Sequence, residues 1–212
     1  MSKNSLVELL HERTGTYLDF LRNARANTAS EKWGMGIGHP FSLEPYRMET
    51  LGIKPGRMLK KKSEPAKGRY QYSYDSAGRV IHMCEYAEWG GPPGDKAWIK
   101  SDDFYEYPID SAFRYVFGNT FKDDPSSELT RIVQAHYENG LITKISQLEN
   151  DETLEYTETL YSYDGNGKII RIQTQWPYGP YPDKVMELEQ GDSNVKIFAI
   201  ENHERFLIYP EP

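Results

Sequence analysis

The tetrapeptide Tyr-Ser-Tyr-Asp occurs twice, at residues 72–75 and 161–164, and each copy runs into a glycine, a base and an apolar strand: Gly78-Arg-Val80 and Gly167-Lys-Ile169. Tyrosines at every second position follow strand periodicity, and Asp and Gly tolerate the left-handed backbone that a tight turn needs. The pattern predicts two β-hairpins. Each returning strand then reaches a tryptophan and a Pro/Gly-rich loop ending in Asp-Lys, Trp89 to Lys96 and Trp176 to Lys184. Two matches in the same order, 89 positions apart, point to a duplicated unit. A degenerate third hairpin lies between them, from Gln134 to Ile145 with Asn139-Gly140 at its turn. Further strands are expected around 112–117, 154–163, 184–190, 195–200 and 204–209, with a turn at 191–194.

The chain begins differently. Ser5-Leu-Val-Glu8 reads as a capping box, and Leu6, Leu9, Leu10, Tyr17, Phe20 and Leu21 keep helical spacing, so one amphipathic helix is expected over 6–26, weakened near Gly15. From Trp33 to Pro55 glycine and proline punctuate the chain and imply a loop wrapped over the core. Leu, Ile, Val and Phe supply only 43 of 212 residues, near the ~20% border below which charged chains stay disordered. Sixteen tyrosines and four tryptophans restore the apolar surface needed to fold. The expected architecture is a single domain, 1–212, mainly β. It comprises an N-terminal amphipathic helix (1–30), an irregular wrapping segment (31–68) and an antiparallel meander of roughly ten strands built from repeated hairpins (69–212).

The net charge of −7 is unevenly placed. Residues 147–212 carry 13 acids and 5 bases, whereas residues 1–146 are nearly neutral, with 19 acids and 20 bases. Glu149, Asp151, Glu152, Glu155 and Glu158 fall together without a base, and Lys54, Arg57, Lys60, Lys61, Lys62, Lys67 and Arg69 form an opposite cluster relieved only by Glu64. Either run serves as a solvated edge that blocks unwanted pairing. The acidic run also reads as a docking surface for a protein partner with a basic surface, steered by its field. Nucleic acid is disfavoured as the main partner, since only the Lys54–Arg69 stretch offers a basic face.

Chemistry is sparse. A single cysteine, Cys84, excludes an internal disulfide, and with five scattered histidines it excludes a structural Cys/His zinc cluster. No run of ~18 apolar residues occurs, and Met-Ser-Lys-Asn leads into a charged stretch, so neither a membrane span nor an export signal is visible and a cytoplasmic setting is expected. His82, Cys84 and Tyr86 share one strand face by alternation, but no third, orienting group is apparent. Asp102-Asp103 and Asp123-Asp124 read as acids in polar loops. No catalytic, cofactor or metal site is assigned. Trp89, Trp176, Tyr178 and Tyr181, held among prolines and glycines, are instead candidates for partner contact, because rigid aromatics dominate binding hot spots. With the five acids from Glu149 to Glu158 they make up the expected partner-binding set.

Tyr72, Tyr74, Asp75, Gly78, Arg79 and Val80, with Tyr161, Tyr163, Asp164, Gly167, Lys168 and Ile169, resemble the YD repeat of bacterial Rhs proteins, the shell-forming parts of polymorphic toxins. The similarity covers about a third of the chain and implies hairpins that add to a sheet. True Rhs shells carry many closely spaced copies, and a closed shell cannot be built from this length. A small acidic protein with Rhs-like hairpins is similar in profile to immunity proteins and antitoxins, which implies a cytoplasmic protein that neutralises a cognate bacterial toxin by covering its active site. The alternatives are a carbohydrate- or surface-binding Rhs-like β module and an enzyme of unknown type.

Overall fold

In a computed structural model, residues 2–89, 98–121, 127–191 and 194–210 are described, with 88, 89 and 119–121 at the level of the backbone. Two short helices, α1 (Lys3–Arg13) and α2 (Tyr17–Asn27), precede thirteen strands. These are β1 (Ser30–Met35), β2 (Arg57–Met58), β3 (Arg69–Tyr74), β4 (Val80–Trp89), β5 (Trp98–Glu106), β6 (Ser111–Phe121) and β7 (Glu128–Glu138). They continue with β8 (Leu141–Glu149), β9 (Tyr156–Tyr163), β10 (Ile169–Gln175), β11 (Lys184–Gln190), β12 (Val195–Glu201) and β13 (Glu204–Tyr209). All belong to one open antiparallel sheet in the order β13 to β3, then β1, then β2.

The fold is therefore mainly β and a meander, as expected, with more strands than the roughly ten read from the sequence. The single helix over 6–26 is corrected to two. Gly15 adopts φ +76°, and Thr14 Oγ1 donates to the Leu10 carbonyl at 2.8 Å, so α1 closes there and α2 starts afresh. The cap is also corrected: Ser2, not Ser5, precedes the helix, and its Oγ accepts from the Ser5 amide at 3.3 Å. The segment 31–68 is not wholly irregular, since it contains most of β1, all of β2 and a 3-10 turn at Glu49–Leu51.

The duplicated motif has one physical basis in both copies. Asp75 Oδ1 accepts from the amides of Ala77 and Arg79, and Asp164 Oδ1 accepts from those of Asn166 and Lys168, each at 2.8–2.9 Å. Gly78 and Gly167 both sit at φ +78°. Backbone hydrogen bonds hold both aspartates below the usual carboxylate range. Tyr72 and Tyr161 are buried on the same inner face of the sheet, with Tyr74 and Tyr163 packed beside them. The third hairpin turns through Asn139 and Gly140, both at positive φ.

Thirteen strands laid flat would span ~58 Å. Instead Met35 of β1 and Tyr209 of β13 line one cavity, and a Cβ at Gly52 would lie 3.3 Å from the Ile208 carbonyl. The sheet is thus rolled around residues 36–56. Phe41 packs on Tyr72 and Tyr105, and Leu43 is buried in the inner core, which continues from Tyr70 to Ile197. On the outer face, α1 lies over β7 and β8 and α2 over β5, burying Leu6, Leu10, Tyr17 and Phe20 against Phe104, Tyr115, Phe117 and Ile132. Phe20 is central there, with ring centroids 4.8–5.7 Å from Tyr115, Phe104 and Phe117.

Entry and exit of the inner segment bring backbone against backbone. A Cβ at Gly56 would lie 2.4 Å from the Gly38 carbonyl and 2.6 Å from that of Met35, whereas one at Gly78 meets nothing within 4 Å. Gly56→Asn is expected to cost about 1–3 kcal/mol through crowding. Gly78→Asn, where Asn suits a positive φ, is expected to stay within about 0.5 kcal/mol. Urea unfolding of the two variants checks this; equal losses would refute the close-approach account.

Candidate functional site

A meander sends alternate connections to the same end of its sheet. At one end lie residues 75–79, 107–110, 139–140 and 164–168; at the other lie 150–155 and 176–183 with the short turn 202–203. The acidic segment and the Trp176 loop, 18 or more residues apart in sequence, are therefore neighbours. Trp176 Nε1 donates to Glu155 Oε1 at 3.0 Å. Tyr181 packs edge-on against Trp176 at 5.8 Å, and Tyr178 lies 5.9 Å from Tyr156. Lys184 and Lys3 sit over the Trp176 and Tyr178 rings at 5.5 and 5.6 Å. Trp176 is half-buried, while Tyr178 is 69% and Tyr181 56% exposed.

The acids divide between two roles. Asp151 Oδ1 accepts from the Thr153 amide and hydroxyl, which fixes the turn and holds its carboxyl below the usual range. Glu152 is exposed beside it. Glu149 forms an ion pair with Arg131 at 2.6 Å. Glu158 accepts from Tyr156 Oη at 2.6 Å and from Lys144 Nζ at 3.2 Å; burial alone would raise its pKa, but these bonds lower it. Glu155 thus joins the aromatic loop, Asp151 and Glu152 belong to the turn that precedes it, and Glu149 and Glu158 are engaged within the sheet. Trp89 ends β4 opposite Trp98, but its side chain and the loop after it lie outside the described residues.

A second polar cluster forms around two acids that the sequence pattern assigns to a loop. Asp102 and Asp103 are not in a loop; both are in β5 and almost fully buried, at 0% and 1% exposure. Strand alternation sends them to opposite faces. Outward, Asp102 bonds His82 Nε2 at 2.7 Å and accepts from Tyr17 Oη at 3.0 Å, with Lys100 Nζ at 3.7 Å. Burial would raise its pKa, but the bond and charge of His82, then Lys100 and Tyr17, hold it below the usual carboxylate range. Inward, Asp103 accepts from Arg114 Nε at 2.7 Å, and Arg114 reaches Glu44 at 3.6 Å. Burial would lower the Arg114 pKa, and Asp103, Tyr105 and Glu44 raise it instead.

The Asp102 face opens on a polar cleft of about 420 Å³ that also meets Arg25, Glu31, Gln71 and Cys84. Alternation did place His82, Cys84 and Tyr86 on one face, and Asp102 is the carboxylate missing from that reading. Its effect on the thiol is adverse: burial first, then the Asp102 charge, push Cys84 well above the ordinary thiol range. Such a thiol is a poor nucleophile at neutral pH. Among the described residues no group of three or more His, Cys, Asp or Glu is placed to hold a metal ion.

No family model matches the chain, and no curated protein matches its sequence. Among solved structures it is similar to a porin-like protein from Bacteroides uniformis, at 14% identity and a TM-score of 0.46, over 65% of this chain and 50% of that one. The chain thus spans about half the length of that protein.

Two outcomes follow from the buried cluster. Alkylation of Cys84 by iodoacetamide is expected to track global unfolding in a urea series; labelling at the rate of a free thiol in native buffer would refute its burial. Asp102→Asn leaves His82 and Lys100 without their charge partner and is expected to cost about 3–5 kcal/mol at pH 7. Because the folded pKa of Asp102 is lowered, its contribution is present above the unfolded value of ~3.9 and is lost as pH falls through the folded value. The acid limb of the stability curve should therefore be shallower in the variant; an unchanged limb would contradict this.

Proposed function

We propose that the chain is a stoichiometric protein-binding module of the immunity or antitoxin type, covering the active site of a cognate bacterial toxin in the cytoplasm. The observation that carries this reading is the Glu155–Trp176 hydrogen bond, which joins the acidic segment and the aromatic loop in one platform at the long-loop end of the sheet. Tyr178 and Tyr181 are its exposed anchors, and Asp151 and Glu152 supply negative charge at its margin. The partner that fits is a toxin with a basic cleft. Charges at the rim set the association rate, and desolvated aromatics set residence time. No group on this chain performs chemistry in that mechanism, and no cofactor enters it. The Rhs-like hairpins support the setting by resemblance alone.

The partner to test is the product of the reading frame next to this gene. Co-expression is expected to yield a one-to-one complex and to relieve that product's toxicity. Tyr178→Ala with Tyr181→Ala is expected to speed dissociation by about ten-fold or more. Glu152→Lys is expected to slow association at low salt, with the difference vanishing at high salt. Failure of the neighbouring product to bind, or a complex indifferent to both changes, would sink the proposal.

A further inference from the structure

The basic cluster between Lys54 and Arg69 takes no part in the platform. It runs along the opening edge of the sheet. β2 contributes only Arg57 and Met58, paired with Met35 and Gly34, so Ser30 to Lys32 of β1 have no strand partner on that side among the described residues. The Leu59 amide donates to the Trp33 carbonyl, after which Lys60, Lys61 and Lys62 line a hollow of about 210 Å³ together with Glu31, Lys32 and Trp33. Two larger hollows, of about 730 and 770 Å³, share Met35, Gly36 and Ile37. The first sets Lys54 and Arg57 beside Ile53, Pro55 and Tyr209; the second sets Lys67 and Arg69 beside Tyr70 and Ile99. Ile37 is 90% exposed between them.

Six of the seven charges of this cluster stand in contrast to those of the acidic segment. Lys54, Arg57, Lys60, Lys61, Lys62 and Arg69 make no ion pair among the described residues. The Arg57 guanidinium reaches only the Met35 sulfur, at 3.6 Å, and Arg69 Nε is buried without a hydrogen-bond partner. Of the nearby acids, Glu31 accepts from Gln71 at 3.0 Å and Glu85 pairs with His39 at 3.2 Å, while Glu64 is exposed within the run.

We infer that this edge is a docking groove for an acidic segment in extended conformation, which adds to β1 and β2 as a further strand. Lysines on a free edge ordinarily prevent pairing, because a neutral or basic strand would leave them crowded and uncompensated. A strand of alternating acidic and apolar residues reverses that balance. Its carboxylates meet Lys60, Lys61, Lys62 and Arg57, its main chain meets the open edge, and its apolar side chains enter the hollows beside Ile37. Apolar hollows beside an unpaired strand favour a peptide over a phosphate backbone. This surface is separate from the toxin-facing platform and stands without it.

The test uses the full chain and a short fluorescein-labelled peptide of alternating Glu and Val, followed by anisotropy at low salt. Binding is expected, weakened about ten-fold or more when Lys60, Lys61 and Lys62 are all changed to Glu, and several-fold by Ile37→Ser. Lys196→Glu, a change of like charge on β12, is expected to leave it intact, as is Glu152→Lys on the platform. Circular dichroism of each variant keeps loss of fold apart from loss of binding. The inference is overturned if the peptide fails to bind. It is equally overturned if a Glu-Val peptide N-methylated at alternate residues binds as well, or if an oligothymidine or phosphatidylserine vesicles bind more tightly than the peptide.

Discussion

Two adjacent carboxylates in β5 hold both covering layers of this sheet. Neighbouring side chains on a strand point to opposite faces, so burying Asp102 and Asp103 together demands a separate set of partners on each side. Asp102 finds His82 and Lys100 in the sheet and Tyr17 in α2; Asp103 finds Arg114 in the sheet and, through it, Glu44 in the inner segment. The outer helix and the inner segment are thereby fixed relative to the same dipeptide. Buried ion pairs add little net stability against apolar replacements of the same size. Their effect is positional: apolar contacts on either face tolerate sliding, whereas a carboxylate with two or three directed donors accepts one arrangement.

The inner segment also solves a problem of edges. A long meander ends in two unpaired strands, which invite pairing between molecules. Rolling the sheet around residues 36–56 brings those edges to either side of one cavity and interposes the Glu49–Leu51 turn against β13. The close approach at Gly36, Gly38 and Gly56 lets the chain enter and leave the rolled sheet without side chains in the way. The same arrangement keeps the β1–β2 edge short and basic rather than covered.

Hairpin chemistry was legible in the sequence because it is local. Asp75, Gly78, Asp164, Gly167, Asn139 and Gly140 occupy the turn positions their backbone preferences predict. The two-residue strand β2 carries no periodicity, and β1 contains Gly34 in the run that reads as loop. β5 was hidden for a different reason. Asp102 and Asp103 interrupt its apolar alternation, and acids so placed ordinarily signal a loop; only partners 20 and 11 residues away, His82 and Arg114, make them core residues. The alternation of Asp102 with Phe104 and of Asp103 with Tyr105 was the available signal. In the candidate site, the aromatic loop and the acidic run were each visible, but their contact through Glu155 and Trp176 depends on strand order. Pairing of Glu149 with Arg131 and of Glu158 with Lys144 depends on register, which composition does not carry.

Those pairings change what the charge of the last third means. An acidic run becomes a binding surface only to the degree that its carboxylates lack partners in the fold. Glu149 and Glu158 meet bases across the sheet, and Asp151 is held by its own turn, which leaves Glu152 as the acid of this run without an ion pair or hydrogen bond among the described residues and Glu155 as the link to Trp176. In the proposed platform the aromatic surface of Tyr178 and Tyr181 would then carry more of the contact than the acids. The basic run behaves in the opposite way: among the described residues Lys54, Arg57, Lys60, Lys61, Lys62 and Arg69 make no ion pair, and they lie beside an open strand edge. Counting charges along the chain located both runs, whereas counting their partners in the fold separates a platform that is chiefly aromatic from an edge that is chiefly electrostatic.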